Sequence, residues 1–296
     1  MVASFGRQLL VESPDGQRRL CHPRGKKTHA VVGDRVLWQP VHDEGAIEQV
    51  VERRNLFYRQ DEVRTKSFAA NLDQVLVLLA AEPEFSEHQL ARALIAAEAE
   101  RIAPLIALNK SDLVEPFERA WRRLHPYQKM GYGVLPLSLR LSGDVDREHL
   151  MAHLRGKTTL VLGPSGAGKS TLINLLVPGA TVVTGEISRA LNSGRHTTTA
   201  TTLYWVDAQR TTALIDSPGF QEFGLHHLEP TALALLMRDL RPYLGQCRFH
   251  NCTHRHEPGC AVISAVVHAE GEHPITANRY RIYCDLFDEL SQPPRW

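Results

Sequence analysis

The pattern of apolar and polar positions divides the chain into regions of different texture. Residues 1–65 alternate apolar and polar positions in short runs, which Pro14-Asp15-Gly16, Gly33-Asp34 and Glu44-Gly45 interrupt. Short alternating runs between turn residues predict a small antiparallel barrel, and a five-stranded barrel of the OB type fits this pattern.

The middle of the chain follows a different pattern, in which short apolar runs alternate with helical segments. The apolar runs predict strands at 74–79, 105–108, 158–162 and 211–215, with a partner strand at 201–207. Ser86 and Gln89 have the spacing of a capping box that opens a helix. This alternation of strands and helices predicts an α/β domain.

A glycine-rich segment after the run at 158–162 matches the pattern G-x-x-x-x-G-K-[ST]. Glycines let the backbone turn tightly and aim several N–H groups at one phosphate, and the helix that follows adds its positive end. Lys169 would reach the β- and γ-phosphates, and the Ser170 hydroxyl would coordinate Mg²⁺. A glycine-rich loop without a ligand is the alternative. The predicted nucleotide contacts are Gly163, Pro164, Ser165, Gly166, Ala167, Gly168, Lys169, Ser170 and Thr171.

A second motif, Asn109-Lys110-Ser111-Asp112, follows the apolar run at 105–108 and has the form of a guanine-reading loop. The Asp112 carboxylate can accept hydrogen bonds from guanine N1–H and N2–H₂, whereas adenine would leave it unpaired. Asn109 would face the other side of the base, and the Lys110 stem would cover it. Ser138 is the candidate for a second base-contacting loop. A surface loop that ends in a helix cap is the alternative for this motif alone.

The third nucleotide motif, Asp216-Ser217-Pro218-Gly219, follows the run at 211–215. Asp216 would hold Mg²⁺ through water, and the Gly219 N–H would meet the γ-phosphate. Thr198 is the candidate for a threonine that coordinates Mg²⁺.

The guanine-reading motif precedes the phosphate loop, which is the reverse of the usual order in GTPases. The rotated order predicts a circularly permuted GTPase domain. Such a permutation is physically possible because the termini of a domain often lie close together at the surface.

A cluster of cysteine and histidine lies near the C-terminus. Cys247, Cys252, His254 and Cys260 fall within 14 residues and provide the ligands of a closed tetrahedral Zn²⁺ site. We expect one structural zinc ion, because no position is left for water. His250 and His256 are alternatives to His254. An amphipathic helical pattern follows at 280–290, so this region is predicted to be mostly helical.

Composition excludes some classes of protein. No apolar run is long enough to cross a membrane, and the N-terminus lacks the apolar stretch of a signal peptide. Five cysteines in such a chain favour a reduced compartment, and we expect a cytoplasmic monomer without a membrane partner. The net charge of +1 means that RNA contact would require local patches. The candidate patch is Arg18, Arg19, Arg24, Lys26, Lys27 and His29, continued by Arg53, Arg54 and Arg59; solvated surface charge is the alternative.

These features together resemble the bacterial family of ribosome small-subunit-dependent GTPase A proteins. The resemblance also covers Cys21-His22-Pro23-Arg24-Gly25-Lys26 and Gly194-Arg195-His196-Thr197-Thr198-Thr199. It implies an OB-type RNA-binding domain at 1–66, a permuted GTPase domain at 67–225 and a zinc-binding domain at 226–296. It further implies binding of GTP or GDP, and late maturation of the small ribosomal subunit through contact with its rRNA. No long N-terminal tail is expected before the barrel.

Phe220 occupies the position at which many GTPases carry a glutamine that orients the attacking water. Phenylalanine cannot orient water, so we expect slow hydrolysis by the free protein and stimulation by the subunit. The resemblance implies His196 as the residue that positions water, and imidazole suits that role at neutral pH. Arg189 and Arg195 are weaker candidates for stabilising charge.

Two other functions stay open at this point. One is a nucleotide-gated rRNA-binding checkpoint protein, in which hydrolysis only times release. The other is a metabolic NTPase without an RNA partner, whose rate ribosomal subunits would leave unchanged.

Overall fold

A computed structural model of the chain describes residues 1–5, 8–24, 29–62, 64–180, 200–218, 220, 223–268 and 275–292. Its strands are β1 Ala3–Phe5, β2 Gln8–Glu12, β3 Arg18–Pro23, β4 Val36–Val41, β5 Glu44–Val50, β6 Leu56–Gln60, β7 Thr65–Ala70, β8 Gln74–Ala80, β9 Ala103–Asn109, β10 Gly133–Pro136, β11 Thr158–Leu162, β12 Thr201–Trp205 and β13 Ala213–Asp216. Its helices are α1 Glu87–Ala99, α2 Val114–Lys129, α3 Gly143–Leu154, α4 Lys169–Leu176, α5 Leu233–Leu236, α6 Ala261–His268 and α7 Ala277–Ser291. Short 3₁₀ turns lie at Pro230–Ala232 and Arg241–Tyr243.

The α/β half of the sheet has the strand order β10-β9-β8-β11-β13-β12. Neighbouring strands are parallel from β10 to β13, and β12 is antiparallel to β13. The middle strands are buried on both faces, as expected for a parallel sheet that helices cover. Alternate residues of β8 enter two different cores, with Val75, Val77 and Leu79 in one and Leu76 and Leu78 in the other. The predicted α/β sheet is therefore confirmed.

The N-terminal strands have the order β1-β2-β3-β5-β4, in which β3 and β5 are parallel and the other neighbours are antiparallel. This agrees with the predicted OB-type arrangement of five strands. A separate small core lies among Met1, Leu9, Val11, Cys21 and Ile47.

The barrel strands and the α/β strands belong to one 11-stranded sheet. Strand β1 pairs antiparallel with β12, so that Ala3 lies opposite Thr202 and Ser4 opposite Thr201. The Leu203 N–H also donates to the Val2 carbonyl at 2.7 Å. The barrel is thus joined to the α/β half by backbone hydrogen bonds as well as by the chain.

Strands β6 and β7 form a separate two-stranded hairpin that spans residue 66, where the sequence predicts the first domain boundary. Phe57 and Phe68 of this hairpin pack with Phe223 at ring-centroid distances of 5.5 and 5.6 Å. The hairpin therefore contacts the segment that follows the third nucleotide motif.

A buried ion pair within the C-terminal region also contacts the α/β domain. Arg279, at the start of α7, donates to both oxygens of Asp239 at 2.9 and 3.0 Å, and both side chains are almost fully buried. The Arg279 guanidinium also lies 5.2 Å from the ring of Tyr127 in α2. The pair thus connects α7 with the turn after α5 and with α2.

Replacing Arg279 by alanine is expected to lower the free energy of unfolding by about 3 kcal/mol, because Asp239 would keep a buried and unpaired charge. Chemical denaturation of both proteins measures this loss. Arg281→Ala is the matched control, since Arg281 is an exposed arginine on the same helix. An equal loss in both variants would contradict the role given to the ion pair.

Candidate nucleotide site and metal cluster

The glycine-rich segment lies between β11 and α4, at the carboxyl edge of the parallel strands. Gly168 has a φ of +101°, and a Cβ there would lie 2.4 Å from Asn109 Nδ2. A Cβ at Gly163 would lie 2.7 Å from the Leu78 carbonyl oxygen of β8. Both positions therefore require glycine, and the loop passes directly into the N-terminus of an eight-residue helix.

Asn109 connects the guanine-reading motif to the phosphate loop. Its Nδ2 donates to the Ala167 carbonyl at 2.9 Å, and its Oδ1 accepts from the Leu139 N–H at 3.2 Å. The side chain is buried at the end of β9. One amide therefore fixes three loops that are far apart in the sequence.

Asp112 and Ser138 are brought together by a hydrogen bond. The Ser138 hydroxyl donates to Asp112 Oδ1 at 2.8 Å, and the Ser138 N–H donates to Asp146 Oδ2 at 2.7 Å. Burial raises the pKa of Asp146, and the hydrogen bond from Ser138 opposes that rise. The Ser111 N–H donates to the Leu137 carbonyl at 2.9 Å. The two loops expected to read the base thus support each other.

Lys110 adopts a positive φ of 69°, and its ammonium donates to the Glu82 carbonyl oxygen in the loop after β8. The neighbouring Pro83 of that loop lies close to Gly166, because a Cβ at Gly166 would meet Pro83 Cδ at 3.2 Å. Lys110 therefore extends from the guanine-reading loop towards the phosphate loop.

Lys169 and Asp216 form an ion pair between the start of α4 and the end of β13. Asp216 is 8% exposed, and the next residue, Ser217, shares a hydrogen bond of 3.2 Å with Thr201. The predicted phosphate-binding lysine and the predicted Mg²⁺-holding carboxylate thus meet at one point. Ser170, next to Lys169, lies in the first turn of the same helix.

Several predicted residues lie outside the described part of the chain. These are His196, Thr198 and Gly219, together with Arg189 and Arg195. Phe220 is described and is 4% exposed, with its ring 6.4 Å from that of Phe223. This side chain belongs to the hydrophobic core, which agrees with the expectation that it does not orient water.

Lys66 is a contact of this site that the sequence analysis did not identify. Its ammonium donates to the Pro218 carbonyl at 2.9 Å, although the two residues are 152 positions apart. The sequence offered only a lysine two positions before Phe68, and such a pattern is too common to assign a role by itself.

Cys247, Cys252, His254 and Cys260 converge, with their ligand atoms all within 4.8 Å of one another. His254 Nδ1 is 3.5 Å from Cys247 Sγ and 3.4 Å from Cys260 Sγ, and the two sulfurs are 3.9 Å apart. Tetrahedral zinc with Zn–S bonds of about 2.3 Å and Zn–N bonds of about 2.0 Å requires edges of this length. The donor set and its spacing therefore fit a closed zinc site.

Contacts around the cluster fix its ligands. The N–H groups of Ala261 and Ile263, in the first turn of α6, donate to the sulfurs of Cys247 and Cys260 at 3.4 and 3.5 Å. The Tyr280 hydroxyl donates to the His254 carbonyl at 2.9 Å. Such outer contacts orient metal ligands and stabilise thiolates. His250 and His256, the alternative ligands, are exposed and lie outside the cluster.

Ion pairs involve part of the predicted basic patch of the barrel. Arg18 pairs with Glu12 at 2.7 Å, and Arg24 pairs with Glu48 at 2.6 Å. Lys26 and Lys27 lie outside the described residues. The local excess of positive charge on the barrel is therefore smaller than the sequence suggests.

Arg53 and Arg54 have structural partners. Arg53 makes two hydrogen bonds of 2.8 Å with Asp34, whose side chain is fully buried. Arg54 pairs with Asp73 at 2.8 Å. These arginines connect the segment after the barrel to both neighbouring regions.

In the part of the chain that is described, no helix has both the length and the apolar character needed to cross a membrane.

The order of the strands, the glycine loop before α4 and the preceding guanine-reading loop define a circularly permuted P-loop GTPase. A family model described as RsgA GTPase matches residues 50–226. The chain therefore belongs to the RsgA GTPase family, as its sequence motifs predict.

Two curated relatives match almost the whole chain. The small ribosomal subunit biogenesis GTPase RsgA of Variovorax paradoxus (strain S110) is 71% identical over 292 residues, which are 99% of this chain and 92% of that protein. The protein of the same name from Paraburkholderia phytofirmans (strain DSM 17436 / LMG 22146 / PsJN) is 52% identical over 297 residues, with 99% and 93% of the two chains covered.

Two solved structures have the same fold. YjeQ from Thermotoga maritima superposes with a TM-score of 0.74 at 31% identity, and the match covers 98% of this chain and 96% of that one. YloQ, described as a circularly permuted GTPase, has a TM-score of 0.71 at 26% identity, with 100% and 95% covered.

Proposed function

We propose that this protein hydrolyses GTP to GDP and phosphate during late maturation of the small ribosomal subunit, and that the subunit stimulates turnover. The observation that carries the proposal is the hydrogen bond from Asn109 to the Ala167 carbonyl at 2.9 Å, because it joins a guanine-reading loop to a phosphate loop. The names of the relatives support the biological setting.

The nucleotide would be held by the residues that meet at the carboxyl edge of the sheet. The N–H groups of 163–171 and the Lys169 ammonium would bind the phosphates, and Asp112 and Ser138 would read the base. Ser170, Thr198 and Asp216 would hold Mg²⁺, which would neutralise the charge that develops on the phosphates. The Gly219 N–H would meet the γ-phosphate, and Asn109, Lys110 and Ser111 would fix the guanine-reading loop.

One structural zinc ion would be bound by Cys247, Cys252, His254 and Cys260. The fit of the sulfur and nitrogen distances to tetrahedral edges supports this assignment. The residues 226–296 would then form a zinc-binding domain, beside an OB-type RNA-binding domain at 1–66 and the GTPase domain at 67–225. We propose that the protein acts as a cytoplasmic monomer in contact with rRNA.

Hydrolysis of GTP with and without purified small ribosomal subunits tests the proposal. ATP and large subunits are the controls, and stimulation by small subunits alone is the expected result. Equal rates with and without subunits would favour a metabolic NTPase. A hydrolysis-dead variant that still matures subunits would favour the checkpoint protein, which the relatives' names do not favour.

Replacing His196 by alanine is expected to lower the subunit-stimulated kcat by at least about a hundredfold with little change in GTP affinity, because a positioned imidazole contributes to the transition state. Single-turnover hydrolysis and nucleotide titration measure the two effects. His125→Ala is a suitable control, since His125 is exposed on α2. Unchanged stimulated turnover would reject the role of His196.

A further inference from the structure

The hairpin of β6 and β7 places two cations next to the loop that follows β13. Arg59 and Lys66 lie directly opposite each other in the register of the hairpin. The Lys66 ammonium donates to the Pro218 carbonyl oxygen at 2.9 Å. It also lies 5.3 Å from the centre of the Phe68 ring. Lys66 therefore contacts the loop to which the third nucleotide motif assigns the γ-phosphate.

This pair of cations is unfavourable for folding. Burial, followed by the charge of Arg59, lowers the pKa of Lys66. Among the described residues, the Nε and Nη1 atoms of Arg59 are buried without a hydrogen-bond partner, and Asp61 Oδ2 lies 3.9 Å from its Nη2. Like charges opposite each other on a hairpin and unpaired buried nitrogens both destabilise a fold. Such a local conflict is expected at a functional site.

The hairpin also holds the far side of the same loop. The Gln60 N–H donates to the Gly224 carbonyl at 3.1 Å, and the Gln60 carbonyl accepts from the His226 N–H at 3.0 Å. Gly224 has no room for a side chain, since a Cβ would lie 2.3 Å from Asp61 Oδ1. Backbone hydrogen bonds thus hold the hairpin against the segment at 224–226, and Lys66 extends from the hairpin to Pro218.

The geometry of the peptide bond gives this contact a consequence. A peptide unit is planar and trans, so its N–H points away from its carbonyl oxygen. The Pro218 carbonyl belongs to the peptide unit whose N–H the motif assigns to the γ-phosphate. A donor held on that carbonyl restrains the peptide unit that begins at Pro218. It also strengthens the N–H as a donor, because hydrogen bonds in series polarise one another.

We propose that Lys66 is a positioning residue for GTP, which orients the peptide after Pro218 towards the γ-phosphate and so favours GTP over GDP. GTP carries a γ-phosphate that GDP lacks, so only GTP gains from an N–H that is oriented towards it. The inference rests on the proposed function, and it names a residue outside the three sequence motifs that acts on the γ-phosphate contact of the third.

The test compares the full-length protein with Lys66→Met and Lys66→Arg. Fluorescence titration would measure the Kd of each protein for a non-hydrolysable GTP analogue and for GDP. We expect Lys66→Met to bind the analogue about tenfold more weakly, the loss typical of a charged hydrogen bond, while the Kd for GDP changes less than about twofold. Lys66→Arg is expected to retain most of the selectivity, because it keeps a charged donor. Lys129→Met, an exposed lysine on α2, is the control.

Equal weakening of both nucleotides would show a purely structural role and overturn the inference, and so would an unchanged ratio of the two Kd values. Thermal unfolding checks that the variants fold. If Lys66→Met does not fold, Lys66→Gln replaces it, with a smaller loss of analogue affinity expected and the same ratio deciding. Failure of the wild-type protein to bind or hydrolyse GTP would instead reject the proposed function, so the two failures are distinguishable.

Discussion

Replacing Asp112 by asparagine is expected to weaken the binding of guanine nucleotides by about a thousandfold, because a site built around specific hydrogen bonds rejects a mismatched partner strongly. The carboxylate can accept from both N1–H and N2–H₂ of guanine. An asparagine amide would place a donor against the amino group. Xanthine carries a carbonyl at that position, so the variant should bind xanthosine nucleotides better than guanosine nucleotides.

Titration with GDP and with xanthosine diphosphate measures this exchange of specificity. The Ser138 hydroxyl, 2.8 Å from Asp112 Oδ1, can still donate to the amide oxygen, so the loop should keep its position. Asp144→Asn is the matched control, since Asp144 is an exposed aspartate at the start of α3. Retention of tight GDP binding by Asp112→Asn would show that another residue reads the base.

Replacing Cys260 by serine is expected to remove the zinc ion and to unfold the C-terminal region. Metal binding at such sites contributes about 10 kcal/mol or more to folding in isolated zinc-finger peptides. The cluster lies in a segment with few regular elements, between a 3₁₀ turn at Arg241–Tyr243 and α6. Native mass spectrometry should find one zinc ion per chain in the wild-type protein and none in the variant. Hydrogen exchange should increase across the described residues of 244–268.

Cys284→Ser separates the loss of the metal from the loss of a thiol. Cys284 lies on α7, outside the group of four ligands, and its replacement should leave the zinc content unchanged. A Cys260→Ser protein that still carries one zinc ion would mean that His250 or His256 replaces the lost ligand, which their present exposure does not favour.

Local patterns predicted the elements and the motifs of the fold well. The capping residue Ser86 accepts from the Gln89 N–H at 3.3 Å at the start of α1, as its spacing indicated. The run at 158–162 is β11, and the glycine loop and α4 follow it directly. These features depend on neighbours in the sequence, so the sequence contains enough information to place them.

Contacts between distant segments could not be predicted in the same way. Nothing in the alternation of Ala3, Ser4 and Phe5 indicates that this strand pairs with Thr201–Trp205 rather than closing the barrel. The link from Asn109 to Ala167 is similar, because the motif identified Asn109 for its part in reading the base and not as a support for the phosphate loop. Edge pairing and loop support depend on which surfaces meet after folding.

The shared sheet determines how the protein can engage a large partner. A flexible linker would let the barrel and the GTPase domain reach their contacts on a partner independently of each other. Pairing of β1 with β12 instead fixes the distance and the angle between the two. A second contact then adds affinity only when the partner presents both surfaces at the matching separation, and it adds nothing otherwise. The time that the protein stays bound to a ribosomal particle would therefore depend on the spacing between the two parts of that particle that the barrel and the GTPase domain contact.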